Sequence, residues 1–120
     1  MEFKESGLTE AADYYKKLHL TSDQRRKVRL VSKLATNYIP ISEHAMCGFA
    51  FRSLTEYQVE KKIEVSAFES MSPEATLEML NNVMNKVKNH LLKILIEKEQ
   101  APVLDDAIVK LLDFYKKNLL

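Results

Sequence analysis

"ISEHAMCGFAFRSLTEYQ", Ile41 to Gln58, is the stretch on which the fold turns. At about 100° per residue, Ala45, Met46, Cys47, Phe49, Ala50, Phe51 and Leu54 point in every direction around a helix, and a helix apolar all round is buried on all sides. This segment therefore predicts a central third helix. Ser42 suits its N-cap and Glu43 its first turn, and the helical pattern carries to about Val65 or Phe68. Gly48 costs up to about 1 kcal/mol against Ala inside a helix, and its most economical role is to let another helix approach closely.

Upstream, Ile39 and Pro40 stop a second helix, because proline lacks an N–H and restricts the residue before it. That helix opens at Thr21 with Gln24 three positions on, the spacing of a capping box, and runs to about Tyr38 with Val28, Val31, Leu34 and Ala35 inward. Leu8, Ala12, Tyr15 and Leu18 mark one face of a short first helix over Thr9 to His19. Downstream, Ser72 and Pro73 provide an N-cap and a first helical position for a fourth helix reaching Glu99, about 40 Å long. Gln100-Ala101-Pro102 opens a fifth that ends near Asn118, with Lys116 and Lys117 at its C-terminal dipole. The expectation is an all-α single domain over residues 1–120: a compact bundle of about five helices, its buried third helix central, its long fourth forming a hairpin with the fifth.

Composition agrees. One domain of 120 residues buries roughly two-thirds of its unfolded surface, and 46% hydrophobic with 29% charged residues is ordinary for a globular chain. Two Gly and three Pro favour helices, and a single Cys excludes an internal disulfide. The acidic N-terminus, MEFKESGLTEAADYY, lacks the basic-then-apolar order of an export signal. The apolar cluster LLKILI, Leu91 to Ile96, falls far short of the ~20 residues of a membrane span. A soluble cytoplasmic protein, with no membrane partner and no cofactor, is expected.

The polar residues of the opening stretch have bland and sharp readings. His44 and Cys47 share a helical face, the geometry of a Cys-His nucleophile pair, but no orienting acid or oxyanion donor accompanies them. A Cys in an apolar run is usually a small hydrophobe. His19 and His90 add the ligand types of a zinc site without its spacing. Arg52 and Glu56 lie one turn apart on the face of Gly48, Phe49, Val59 and Ile63; they read as an internal ion pair, or else Arg52 reaches a ligand or a partner's carboxylate.

Two features point to binding. Leu77, Leu80, Met84, Val87, Leu91 and Ile94 repeat in steps of three and four, the seam of a coiled coil held for nearly three heptads. Leu104, Ile108, Leu111 and Tyr115 repeat the theme, so the seam serves either an intramolecular hairpin or a homodimer. The second helix holds the electrostatic signal. Between Asp23 and Glu43 there is no acid, while Arg25, Arg26, Lys27, Arg29 and Lys33 supply five positive charges; the net +1 less those five leaves −4 elsewhere. Arg25, Arg26, Arg29 and Lys33 cover one arc, with Ser32 and Thr36 beside it and apolar residues opposite. Such a stripe meets an acidic protein surface, contacts nucleic-acid phosphates, or is only a solvated face.

"NKVKNH", Asn85 to His90, resembles the Arg-to-His motif of the all-helical HEPN ribonucleases, but Asn85 stands where that family has its phosphate-steadying Arg. No family is assigned on it. The functional expectation is a non-enzymatic accessory, adaptor or inhibitor protein using its basic helix and helical hairpin on a macromolecular partner, with nucleic-acid binding through Arg25, Arg26, Arg29 and Lys33 as the alternative.

Overall fold

A computed structural model describes residues 4–62, 71–95 and 101–119. Among these residues the chain forms five helices, α1 (Glu5–Lys16), α2 (Ser22–Thr36), α3 (Glu43–Lys61), α4 (Pro73–Leu92) and α5 (Ala101–Leu119). The starts follow from local chemistry. At α2 the Gln24 backbone N–H donates to Thr21 Oγ1 (3.1 Å) while the Thr21 N–H donates to Gln24 Oε1 (3.0 Å), so the capping box is complete. Ser42 accepts from the Ala45 N–H at 3.2 Å and Ser72 from the Ala75 N–H at 3.1 Å, with Pro73 at the first helical position.

Four helix boundaries depart from expectation. α1 begins at Glu5, four residues before Thr9, and ends at Lys16, short of His19. Its start is pinned from outside, because the Lys4 N–H donates to the Ile94 carbonyl at 2.9 Å. α4 ends at Leu92, where Glu99 is the expectation, in a tight turn with the Lys93 N–H on the His90 carbonyl at 3.3 Å and the Ile94 N–H on the Leu91 carbonyl at 3.0 Å. Residues 96–99 lie outside the described residues. α3 stops at Lys61, where Lys62 takes a left-handed conformation with φ 57°, so Val65 and Phe68 are not part of the observed helix and, with Ile63, lie outside the described residues.

α3 is the centre. Six consecutive residues, Ala45 to Ala50, are buried, and the helix packs against α1, α2 and α4. α4 in turn packs on α5. Two side-chain contacts give the orientation: Glu60 Oε2 pairs with Lys86 Nζ at 2.6 Å and Glu56 Oε1 lies 2.8 Å from His90 Nε2, so α3 and α4 run antiparallel. Lys88 Nζ to Asp105 Oδ1 at 2.7 Å ties the late part of α4 to the early part of α5, which makes the hairpin antiparallel as well. Leu104, Ile108, Leu111 and Tyr115 of α5 are buried in it, and Val28, Val31, Leu34 and Ala35 line the inner face of α2.

The burial of α3 is not uniform to its end. Val59, placed by its spacing on the apolar face, is 75% exposed, although Tyr57 two residues before it is buried and Glu60 after it meets Lys86 of α4. Ser32 departs in the other direction. It lies beside the basic arc as its spacing implies but is buried between α2 and α3, its hydroxyl donating to the Glu43 carbonyl at 3.2 Å.

Closest approach occurs at Gly48. A Cβ built there would overlap the Ala11 carbonyl oxygen and stand 2.9 Å from its carbon, so α1 and α3 touch backbone to backbone. At Gly7 an added Cβ would meet only the Ile94 side chain, at 2.6 Å from Cγ2, which can turn aside. The α4 seam is spent within the chain: Leu80, Met84, Val87 and Leu91 are buried and Leu77 and Ile94 are partly so. A dimer through these six residues would require the hairpin to open. No helix among the described residues is long and apolar enough to cross a membrane.

Two outcomes are expected. Gly48→Ala destabilises the fold by about 1–3 kcal/mol despite the helix-propensity gain, since rigid backbone opposes the methyl group; a thermal melt no lower than wild type would contradict the close contact. A Leu80→Glu, Leu91→Glu double variant loses its helical circular dichroism, because each carboxylate is forced into the core; a folded monomer by light scattering would instead mark the seam as an oligomer face.

Candidate functional site

The outer side of α2 carries the candidate interface. Its inner face is fixed by Val28, Val31, Leu34 and Ala35, so the helical repeat leaves Arg25, Arg26, Arg29 and Lys33 all exposed on the opposite side. With Ser22 and Leu30 these four residues frame a shallow groove of about 440 Å³. Leu30 is 47% exposed at the edge of the cationic arc, beside Arg26 and Lys33. Its place was legible in the spacing, since it stands four residues after Arg26 and three before Lys33.

A second concavity, about 460 Å³, opens where α1 ends and α2 and α3 begin. Tyr15, Lys16, Leu18 and Leu20 form one wall, Arg25 and Arg29 of α2 another, and Glu43, His44 and Cys47 of α3 the third. Spacing along the chain gives no hint of it, because these residues come together only when the three helices dock. Cys47 is buried here while His44 is exposed.

The chemistry of Cys47 follows from that position. Burial pushes its thiol above the ordinary value of 9.0; Ser32 and Tyr15 hydroxyls act the other way by hydrogen bonding, Glu43 adds to the rise, and Arg29 opposes it. Ser32 has one hydroxyl proton and gives it to the Glu43 carbonyl, which limits what it offers a thiolate, and burial wins. Tyr15 is also raised, first by burial and then by Cys47, with Arg25 and Arg29 opposing. Both groups therefore keep their protons at neutral pH. A protonated thiol is a poor nucleophile, which weighs against the Cys-His pair.

The remaining polar candidates turn to structural partners. Arg52 stacks over the Tyr14 ring at 4.3 Å, and Tyr14 packs on Phe51 with centroids 6.2 Å apart. Glu56 reaches across to His90, so Arg52 and Glu56 serve different helices and do not make the internal pair that their spacing suggests. Asn85 donates back to the Asn81 carbonyl at 2.8 Å while His90 faces α3, and the two do not converge on one point as a nuclease motif would need. Among the described residues there is no group of three or more His, Cys, Asp or Glu side chains placed to hold a metal ion. No family model, curated protein sequence or solved structure matches the chain.

Cys47 offers a direct check. Its folded-state affinity for a proton is raised, so the unfolded chain releases the proton first; the stability this adds is complete below the ordinary value near 9.0 and declines as pH rises beyond it. At pH 8, iodoacetamide should therefore alkylate native Cys47 at least about tenfold more slowly than the urea-unfolded chain. Equal rates would mean an open, ionised thiol.

Proposed function

We propose that the chain is a binding protein whose α2 surface docks an acidic patch on another protein, with no turnover of its own. The observation that carries this reading is the exposed Leu30 sharing one groove with Arg25, Arg26, Arg29 and Lys33. Exposed ion pairs contribute only about 0–1 kcal/mol each, so the cations mainly steer association and select the partner's sign. Covering what remains open of Leu30 contributes on the order of 1–2 kcal/mol, as much as any single charge. An exposed apolar side chain bordering cations suits a protein interface, whereas a phosphate backbone gains nothing from a leucine. The protonated Cys47 and the engagement of His90 by Glu56 support binding over catalysis. An accessory, adaptor or inhibitory role follows from this reading.

Charge and apolar changes separate the readings. Replacing Arg25, Arg26, Arg29 and Lys33 by Glu abolishes binding to the partner, and Leu30→Asp alone weakens it by about tenfold or more. Nucleic-acid binding predicts something else: association with duplex DNA whose log-log salt slope is about −3.6 for four phosphate contacts, and indifference to Leu30→Asp. A partner captured equally well by wild type and the four-Glu variant would overturn the proposal.

A further inference from the structure

The cavity between α1, α2 and α3 goes beyond the macromolecular reading, since seven of its nine lining residues are not on α2 at all. Lys16 from α1, Arg25 and Arg29 from α2, and Glu43 from α3 give three cations against one carboxylate, a formal excess of two positive charges. Arg25 and Arg29 stand one turn apart, and guanidinium forks are suited to paired oxygens. The Tyr15 hydroxyl and a His44 ring nitrogen add hydrogen-bonding groups, while Leu18 and Leu20 supply an apolar side. α3 begins at this wall, which brings the positive end of its dipole near. The volume, about 460 Å³, lies within the roughly 300–1,000 Å³ of small-molecule sites.

We infer that this cavity binds a phosphate monoester, its dianionic head between Lys16, Arg25 and Arg29 and its organic group against Leu18 and Leu20. Charge selects the class. A monoester phosphate carries about −1.5 to −2 near pH 7, which matches the excess of two, whereas a carboxylate would leave one cation unanswered. Two sources carry this chemistry, a free phosphorylated small molecule and a phosphorylated side chain of a partner.

Titration of the whole chain with phenyl phosphate, followed by calorimetry and by backbone amide shifts, tests the site. Shifts are expected at residues 16–20 and 43–47 and not at Lys33, with benzoate at least about tenfold weaker. Arg29→Gln or Lys16→Gln should weaken phenyl phosphate by about tenfold or more, while Glu43→Gln, which removes the one carboxylate, should tighten it. An Arg26→Glu, Lys33→Glu variant should retain phenyl phosphate binding, so that failure of the cavity and failure of the α2 docking surface are read separately. A short tyrosine-phosphorylated peptide binding as tightly as phenyl phosphate assigns the ligand to a side chain; the bare ester binding alone assigns it to a small molecule. Absence of binding at millimolar phenyl phosphate, equal affinity for benzoate, or an Arg29→Gln variant as tight as wild type would each overturn the inference.

Discussion

The contact between the Gly48 position and the Ala11 carbonyl sets the spacing of the whole molecule. Only a residue without a side chain lets α1 lie directly on α3, and that closeness is what encloses the run from Ala45 to Ala50 on the side away from α2 and α4. The helix-propensity cost of glycine, about 1 kcal/mol, is small beside the burial that the contact permits, since a single fully buried large apolar side chain contributes about 1.5–3 kcal/mol. α1 is held there a second time by the Lys4 bond to Ile94, which links the first helix to the turn after the fourth.

From this packing the polar chemistry follows. Because α1 is drawn against α3, its Tyr15 comes beside Cys47, and its last turn closes a wall opposite Arg25 and Arg29. The same arrangement leaves the cations of α2 divided in their surroundings. Arg25 and Arg29 line both the cavity and the outer groove, while Arg26 and Lys33 line only the groove. Protein docking and phosphate recognition on this molecule would thus share two arginines and differ in everything else they touch.

Particular residues show how far spacing along the chain can be read. The capping box at Thr21, the N-caps at Ser42 and Ser72 and the inner face of α2 all depend on residues within one or two turns of each other, and all are found as their spacing implies; Gly48 is readable for another reason, since a glycine inside an apolar helix marks a close approach whichever helix makes it. Arg52 and Glu56 were placed differently by spacing because their surroundings are made by other helices, Arg52 by Tyr14 of α1 and Glu56 by His90 of α4, while Ser32 keeps its place beside the basic arc but is buried by the start of α3. The turn after α4 belongs with these, since the Ile94 carbonyl accepts from the Lys4 N–H, ninety residues away in the chain.

The sequence by itself determined five amphipathic or wholly apolar helices, the central place of α3 and the segregation of positive charge onto α2, because periodicity, caps and charge order are local properties that act before any helix meets another. Only the tertiary structure decided that the α4 seam is filled by its own chain, that Leu30 stays open beside cations, and that Lys16, Arg25, Arg29 and Tyr15 surround one cavity over Cys47. Those outcomes depend on which helix faces which, and that is fixed by close packing of a whole core, where the allowed approach of two backbones at one glycine moves side chains many residues apart into contact.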